Sequence, residues 1–270
     1  MEQITKNKKL YIVILFFVLA VITIYSISPI KTEAPQAKEE PIIKNINDVI
    51  PTEEKIENPT PPPVQKYKIV SRSIVAPKDI TNKTKIVLLT IDDGPSKRTL
   101  EIVSILEKHN AKAIFFVNGM QDKNNPGIIS QINESGFVVG NHGWSHLNLK
   151  KQSNIDLVEK EVNKNTNLIT KLTGAKPLFF RAPYGESNQY LRNFIKDNGM
   201  IFMDWSGAAM DWNKSTIEKD VFVNNVMNNI HSGSIILIHE HPWSLANLDA
   251  LLISLESKGY TYVDPKDIIE

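Results

Sequence analysis

The sequence contains no cysteine. That absence excludes a disulfide framework, thiolate catalysis, cysteine-ligated zinc and a lipidated N-terminal cysteine. It does not fix the redox compartment, because a chain without thiols is stable on either side of a membrane. A surplus of one charge sign is missing too. The 270 residues carry 31 basic and 30 acidic side chains, a formal net charge of +1, so there is no electrostatic footprint for a nucleic-acid partner.

What is present begins at the N-terminus. Leu10 to Ile24 is an almost unbroken apolar run that continues less strictly to Ile30, and a helix of about 20 residues spans the ~30 Å hydrocarbon core of a bilayer. Lys6, Lys8 and Lys9 precede the run, which directs the N-terminus to the cytoplasm and the remainder outward. A removed signal peptide is the competing reading, since Ser26-Ile27-Ser28 resembles a small-x-small cleavage site. Counted through its continuation to Ile30, the run exceeds the usual ~7–15 apolar residues of such peptides, which favours an uncleaved anchor. Residues 1–30 are therefore expected to be a cytoplasmic N-terminus and transmembrane anchor or signal peptide. The protein is then a single-pass cell-membrane protein with its folded part extracytoplasmic, or secreted if the segment is cleaved. Residues 31–78 are rich in Pro, Glu, Lys, Thr and Asn, with Pro61-Pro62-Pro63 in the middle. Such a stretch buries too little apolar surface to offset its ordering entropy and reads as a disordered linker, with short strands around Ile69-Val70 and Ile74-Val75 left open. Residues 79–270 are the expected folded domain.

In that domain short apolar runs alternate with helical periods. Strands are expected at Ile86–Thr90, Ala113–Val117, Phe137–Gly140, Leu178–Arg181, Ile201–Asp204, Ser234–His239 and Tyr260–Val263. Three- and four-residue apolar spacing marks helices carrying Leu100, Val103 and Leu106, and Val158, Val162, Ile169 and Leu172. Repeated alternation implies an α/β fold with a parallel sheet. Seven strand candidates suit a closed or nearly closed barrel better than an open sheet.

Chemistry in α/β barrels gathers at the carboxyl ends of the strands, and polar residues interrupt the apolar runs at those ends. Ile86–Thr90 leads to Asp92-Asp93-Gly94-Pro95, Phe137–Gly140 to Asn141-His142-Gly143-Trp144-Ser145-His146, Leu178–Phe180 to Arg181, and Ser234–Ile238 to His239. Two histidines four apart plus one carboxylate give three protein ligands and an open position, the composition of a catalytic divalent-metal site. Alone the histidine pair is weak; beside an Asp-Asp pair it gains weight. Asp-Asp-Gly-Pro also forms turns, and a tight turn is how adjacent carboxylates are aimed differently, one at a metal and one free to take a proton from a water the metal acidifies. Arg181 is expected to orient the free carboxylate by a bidentate pair.

These residues resemble a known family. Thr90-Ile91-Asp92-Asp93-Gly94-Pro95, His142-Gly143-Trp144-Ser145-His146, Arg181-Ala182-Pro183-Tyr184-Gly185, Asp211-Trp212 and Leu237-Ile238-His239 look like the polysaccharide deacetylases, the NodB homology domain of carbohydrate esterase family 4. The resemblance covers residues 85 to 265 and implies a distorted (β/α)7-like barrel. It implies Asp92 as general base, Asp93, His142 and His146 as ligands of one divalent ion (usually zinc, with cobalt or nickel as alternatives), and Arg181 as the holder of Asp92. The backbone N–H of Tyr184 would stabilise the oxyanion. His239 would be the general acid with Asp211 behind it, and Trp212 and Leu237 would wall the acetyl pocket. The implied reaction is removal of N-acetyl groups from N-acetylglucosamine-type residues of peptidoglycan or a chitin-like polymer. An O-acetyl polysaccharide esterase and a non-catalytic wall-binding module on the same fold are the alternatives.

Departures from the pattern are Ile91 for Phe, Gly143 where Ser or Thr is commoner, and Ala208 where an acidic residue often stands. Gly143 points to a missing hydrogen bond behind the ligands. Trp144 and Trp243 read as sugar platforms or ordinary packing, Glu240 and His241 as rim residues, and His109 and His231 as helix-end surface histidines. Asn118 reads as a groove residue.

Overall fold

Strand β3 (Lys85–Gly94) is ten residues long and buried along nearly its whole length, the pattern of a central strand covered on both faces. β4 (Ala113–Val117), β5 (Val138–Asn141), β6 (Phe179–Phe180) and β7 (Ile201–Phe202) follow it in parallel on one side. On the other side β9 (Ser234–His239) pairs with β3 from Val87↔Ser234 to Asp92↔His239. β8 (Gly207–Ala208) lies parallel on β9, and β10 (Tyr260–Tyr262) lies parallel on the start of β3. All seven expected strands form. The computed structural model of the protein describes residues 66–214 and 218–269. The expected anchor (1–30) and residues 31–65 of the expected linker lie outside them, and no helix among the described residues is long and apolar enough to cross a membrane.

Two expectations change. The sheet runs β11 (Ile268–Ile269), β1 (Tyr67–Ser71), β2 (Ile74–Pro77), β9, β3, β4, β5, β6, β7, and among the described residues no ladder joins β7 back to the far edge. It is a curled half-barrel, not a nearly closed ring. β6 and β7 have two residues each, and after β7 the chain meets the 67–77 segment at Asp204, whose N donates to Arg72 O at 2.6 Å and whose Oδ2 lies 3.3 Å from Arg72 Nε. The second change is at residues 67–77, placed in the linker by composition with short strands at Ile69-Val70 and Ile74-Val75 left open. They form an antiparallel hairpin, β1 (Tyr67–Ser71) and β2 (Ile74–Pro77). β1 pairs with β11 (Ile268–Ile269) and β2 meets β9 at Ile74↔Ser234, so the folded part begins before residue 79.

Six helices among the described residues cover the sheet: α1 (Thr99–Lys108), α2 (Ile128–Glu134), α3 (Ile155–Thr173), α4 (Gln189–Asp197), α5 (Lys219–Met227) and α6 (Pro242–Ser257). The Asn154 and Asn188 side chains cap α3 and α4 by accepting from Leu157 N and Leu191 N, and α3 stops at Gly174 with φ +77°. In α1 the buried stripe is Thr99, Ile102, Val103 and Leu106, while Leu100 faces solvent. The α3 pattern holds, with Val158, Val162 and Ile169 buried and Leu172 packed at the core edge.

Because side chains alternate along a strand, each strand serves two cores. Val87, Leu89 and Ile91 pack with Phe115, Ile236 and Ile238 under the helices. Ile86, Leu88, Ile114, Phe116, Phe179 and Ile235 fill the barrel interior. Continuing the inward parity toward the carboxyl ends gives Thr90 and Asp92 on β3, His142 after β5, Arg181 after β6, and Leu237 and His239 on β9. The polar residues are thus the top layer of the interior stack.

Candidate active site

Consecutive strand residues normally face opposite sides of a sheet, yet Asp92 and Asp93 both serve this layer. The β3–β4 register shifts between Asp92 and Gly94, and Asp93 takes φ +71°, a left-handed conformation that Asp tolerates better than most residues. This bulge re-aims Asp93. His146, Tyr184 and Met210 also have positive φ, at 58°, 63° and 55°. Such strain gathers at functional sites, where the surrounding fold over-determines the backbone.

Asp92 is 2% exposed. Arg181 NH1 donates to its Oδ1 at 2.8 Å and to Thr90 Oγ1 at 2.7 Å. The expected bidentate pair does not form, because Nε and NH2 of Arg181 donate to the carbonyls of Met203 and Asp204. The guanidinium is fully buried, with the rings of Phe116 and Trp205 at 4.4 and 5.7 Å. Burial pushes its pKa down, with Asp92 opposing the shift. Thr90 stands in the first motif without an assigned role, though it shares the inward parity of Asp92, and Trp205 lies outside the motifs.

Beside this pair, Asp93 Oδ1 lies 3.5 Å from His142 Nε2 and 3.2 Å from His146 Nε2. One ligand atom from each of the three residues lies within 4.8 Å of the others. Asp93 Oδ1 is buried without a hydrogen bond of acceptable geometry. A buried carboxylate oxygen facing two imidazole nitrogens, with no proton donor satisfying it, is the donor set of a divalent cation. The residues fit one. Burial alone would raise the Asp93 carboxyl, but the imidazoles of His142 and His146 hold it well below the usual range. His142 Nδ1 lies 2.8 Å from the carbonyl oxygen of Arg181, an acceptor that fixes the tautomer and leaves Nε2 free as a ligand.

The loop carrying the two histidines is pinned from behind. Asn118 Nδ2 donates to His142 O at 2.7 Å, so Asn118 supports the loop and does not line the groove. Asn141 Oδ1 accepts from Gly143 N and Asn165 Nδ2, and Glu161 Oε2 accepts from both N and Oγ of Ser145. Gly143 has φ +77°, where Ser or Thr would be strained; the support expected from that position comes instead from Arg181 O, Asn118 and Ser145. Trp144 packs over Gly119, with Lys164 Nζ 3.7 Å from its ring centroid.

Across the mouth, His239 Nδ1 lies 2.7 Å from Asp211 Oδ1. Asp211 is fully buried and its Oδ2 accepts from His239 N and Ser244 Oγ, while Trp243 Nε1 donates to its carbonyl oxygen. Burial works against the charged imidazole, but the Asp211 hydrogen bond and charge prevail, and the His239 pKa is pushed up to about 9. The Asp211 carboxyl is correspondingly lowered, against the effect of burial, by its bonds from His239. A cleft of about 430 Å³ joins these groups, lined by Asp92, His142, His146, Tyr184, Trp212, Leu237 and His239 among others.

Two residues depart from their expected surface positions. Glu240 is 6% exposed, lodged against Gly94, and burial raises its carboxyl pKa. The His109 side chain is 8% exposed, held between Asp249 and Glu256.

Fold and site together define an α/β half-barrel whose strand ends bring the Asp92–Arg181 and His239–Asp211 pairs beside a candidate three-ligand cation site. The chain belongs to the polysaccharide deacetylase family. That family's model matches residues 79–203. A peptidoglycan-N-acetylglucosamine deacetylase of Bacillus cereus is 31% identical over 228 residues, covering 77% of this chain and 83% of that protein. The crystal structure of the Bc1960 peptidoglycan N-acetylglucosamine deacetylase superposes with a TM-score of 0.64 at 33% identity, covering 68% of this chain and 87% of that one. A CE4 family pseudoenzyme from Bacillus anthracis matches with the same TM-score of 0.64 at 29% identity, over 68% of this chain and 65% of that one.

Proposed function

We propose that the protein hydrolyses N-acetyl groups from N-acetylglucosamine-type residues of peptidoglycan or a related polysaccharide. The observation that carries this reading is the split between adjacent aspartates, Asp92 bonded to Arg181 and Asp93 set against two imidazoles. A relative of the same fold is a pseudoenzyme, so this arrangement supports catalysis where family membership alone does not.

A divalent ion held by Asp93, His142 and His146, zinc or else cobalt or nickel, would supply Lewis-acid polarisation and a more acidic water. Asp92 takes the proton of the attacking water, and Arg181 keeps its carboxylate in one orientation. The Tyr184 backbone N–H donates to the carbonyl oxygen as it gains charge. His239, protonated at neutral pH through Asp211, passes its proton from Nε2 to the departing nitrogen. That acid favours an amide over an O-acetyl ester, since an amine leaves poorly unless protonated. Trp212 and Leu237, which line the cleft, supply the apolar wall against which the acetyl methyl rests.

The apolar run at Leu10–Ile24 and the linker after it support an anchored, extracytoplasmic enzyme that meets its polymer in the wall. Acetate release from N-acetylated glycan oligomers tests the activity: Asp92→Asn should abolish it without unfolding the domain, and full retention refutes the assignment.

A further inference from the structure

Glu240 follows the candidate acid His239 directly, yet its side chain reaches the other half of the site. Its Oε2 accepts from Thr99 Oγ1 at 2.6 Å, and Thr99 is fully buried. That same hydroxyl oxygen accepts from Ser96 N at 2.8 Å, and Ser96 Oγ accepts from Arg98 N at 3.1 Å. The turn leaving Asp92-Asp93 is therefore tied to the residue after His239 by this buried hydrogen bond, with a longer one, 3.4 Å, from the Arg98 guanidinium to the Glu240 carbonyl oxygen beside it.

The opposite oxygen fills space. Glu240 Oε1 is buried without a hydrogen-bond partner, and a Cβ built on Gly94 would sit 2.3 Å from it. Gly94, in turn, holds Asn118 N through its carbonyl at 2.8 Å, and Asn118 holds the His142 carbonyl. Glu240 thus presses on the residue next to Asp93 and joins it to the histidine loop. A buried carboxyl with an unsatisfied oxygen costs stability, so its place between two catalytic strand ends calls for a functional reason.

We propose that Glu240 is a positioning residue that sets the spacing between the Asp92-Asp93 turn and His239. It acts through Thr99 and Gly94 and touches no reacting atom. The inference rests on the deacetylase reading, because it assigns the two groups being spaced to one reaction. Misplacement of such groups by about 1 Å costs up to ~100-fold in rate, and loss of a support behind a metal ligand costs about 10–100-fold in activity or metal affinity.

The test compares Glu240→Ala, Glu240→Gln, Thr99→Val and Thr99→Ser by acetate release, by cobalt(II) titration followed through visible absorption, and by thermal unfolding. Glu240→Ala should lower kcat and cobalt affinity by about ten-fold or more with little change in KM. Glu240→Gln keeps the volume and an acceptor and should retain most of both. Thr99→Val should mimic Glu240→Ala, Thr99→Ser should not, and the Val and Ala losses should not add in the double variant. Wild-type kcat and cobalt affinity in Glu240→Ala would overturn the proposal, as would a Glu240→Gln loss equal to that of Ala. If Glu240→Ala does not fold, the Gln variant and the Thr99 pair decide by the same criteria. Absence of acetate release by the wild type would instead sink the deacetylase reading, and the cobalt titration would still judge Glu240.

Discussion

His142 Nδ1 lies 2.8 Å from the backbone carbonyl oxygen of Arg181, the residue whose guanidinium holds Asp92. One residue thus supports the candidate ligand through its main chain and the candidate base through its side chain. Substitution separates the two roles. Arg181→Met leaves the carbonyl in place, so cobalt(II) binding should survive while kcat falls about 10²–10⁴-fold. It also strands a buried carboxylate, which costs about 3–5 kcal/mol. Urea unfolding should show that loss, and adding Asp92→Asn should recover part of it.

The His239–Asp211 pair predicts an alkaline limit. His239 sits at about 9 in the folded protein against ~6.5 for an unperturbed histidine. A group raised on folding contributes stability that is fully present below ~6.5 and is lost as pH rises through about 9. The acid form needed for catalysis disappears as pH passes about 9. The kcat profile should therefore fall near pH 9, and Asp211→Asn should move that limb toward neutrality. An unchanged limb in Asp211→Asn would remove His239 from the acid role.

Binding at the three-ligand site stabilises the folded chain by mass action, by about 2.7 kcal/mol at a free ligand concentration 100-fold above Kd. Zinc should raise the thermal midpoint of the wild type and a chelator should reverse the rise. His146→Ala should abolish the shift, since it removes an Nε2 lying 3.2 Å from Asp93 Oδ1.

The β1–β2 hairpin predicts where the domain can be cut. A chain beginning at residue 79 loses the β1–β11 and β2–β9 pairings and the Arg72 bonds to Asp204. Arg181 NH2 donates to the Asp204 carbonyl, so the loss reaches the arginine that holds Asp92. Urea midpoints should drop markedly from a chain beginning at 66 to one beginning at 79, with reduced acetate release. Equal midpoints would make the hairpin dispensable.

The positions of Asp92, His142, Arg181 and His239 were legible because each ends an apolar run, and strand parity aims all four inward. The roles proposed for them came from the ordered motifs, not from periodicity. Closure of the sheet was not legible: two-residue strands such as β6 and β7 carry no signal of what they fail to pair with. The short strands left open at Ile69-Val70 and Ile74-Val75 do form, but their place in the sheet was not legible, because the partners β9 and β11 lie far along the chain. Glu240 looked like a rim residue since its burial depends on Gly94, a glycine in a distant strand, leaving room for it. The Arg181 geometry was misjudged for a similar reason: the carbonyls of Met203 and Asp204 that occupy its remaining donors lie on a loop with no motif.

The most direct measurement is acetate release from peptidoglycan and chitin oligomers by residues 66–270, untreated, stripped with chelator, and reloaded with zinc, cobalt or nickel. Under the metal-dependent reading, activity should vanish on stripping and return with added metal in the wild type but not in His142→Ala. Undiminished release after complete stripping, or none under any loading, would contradict it.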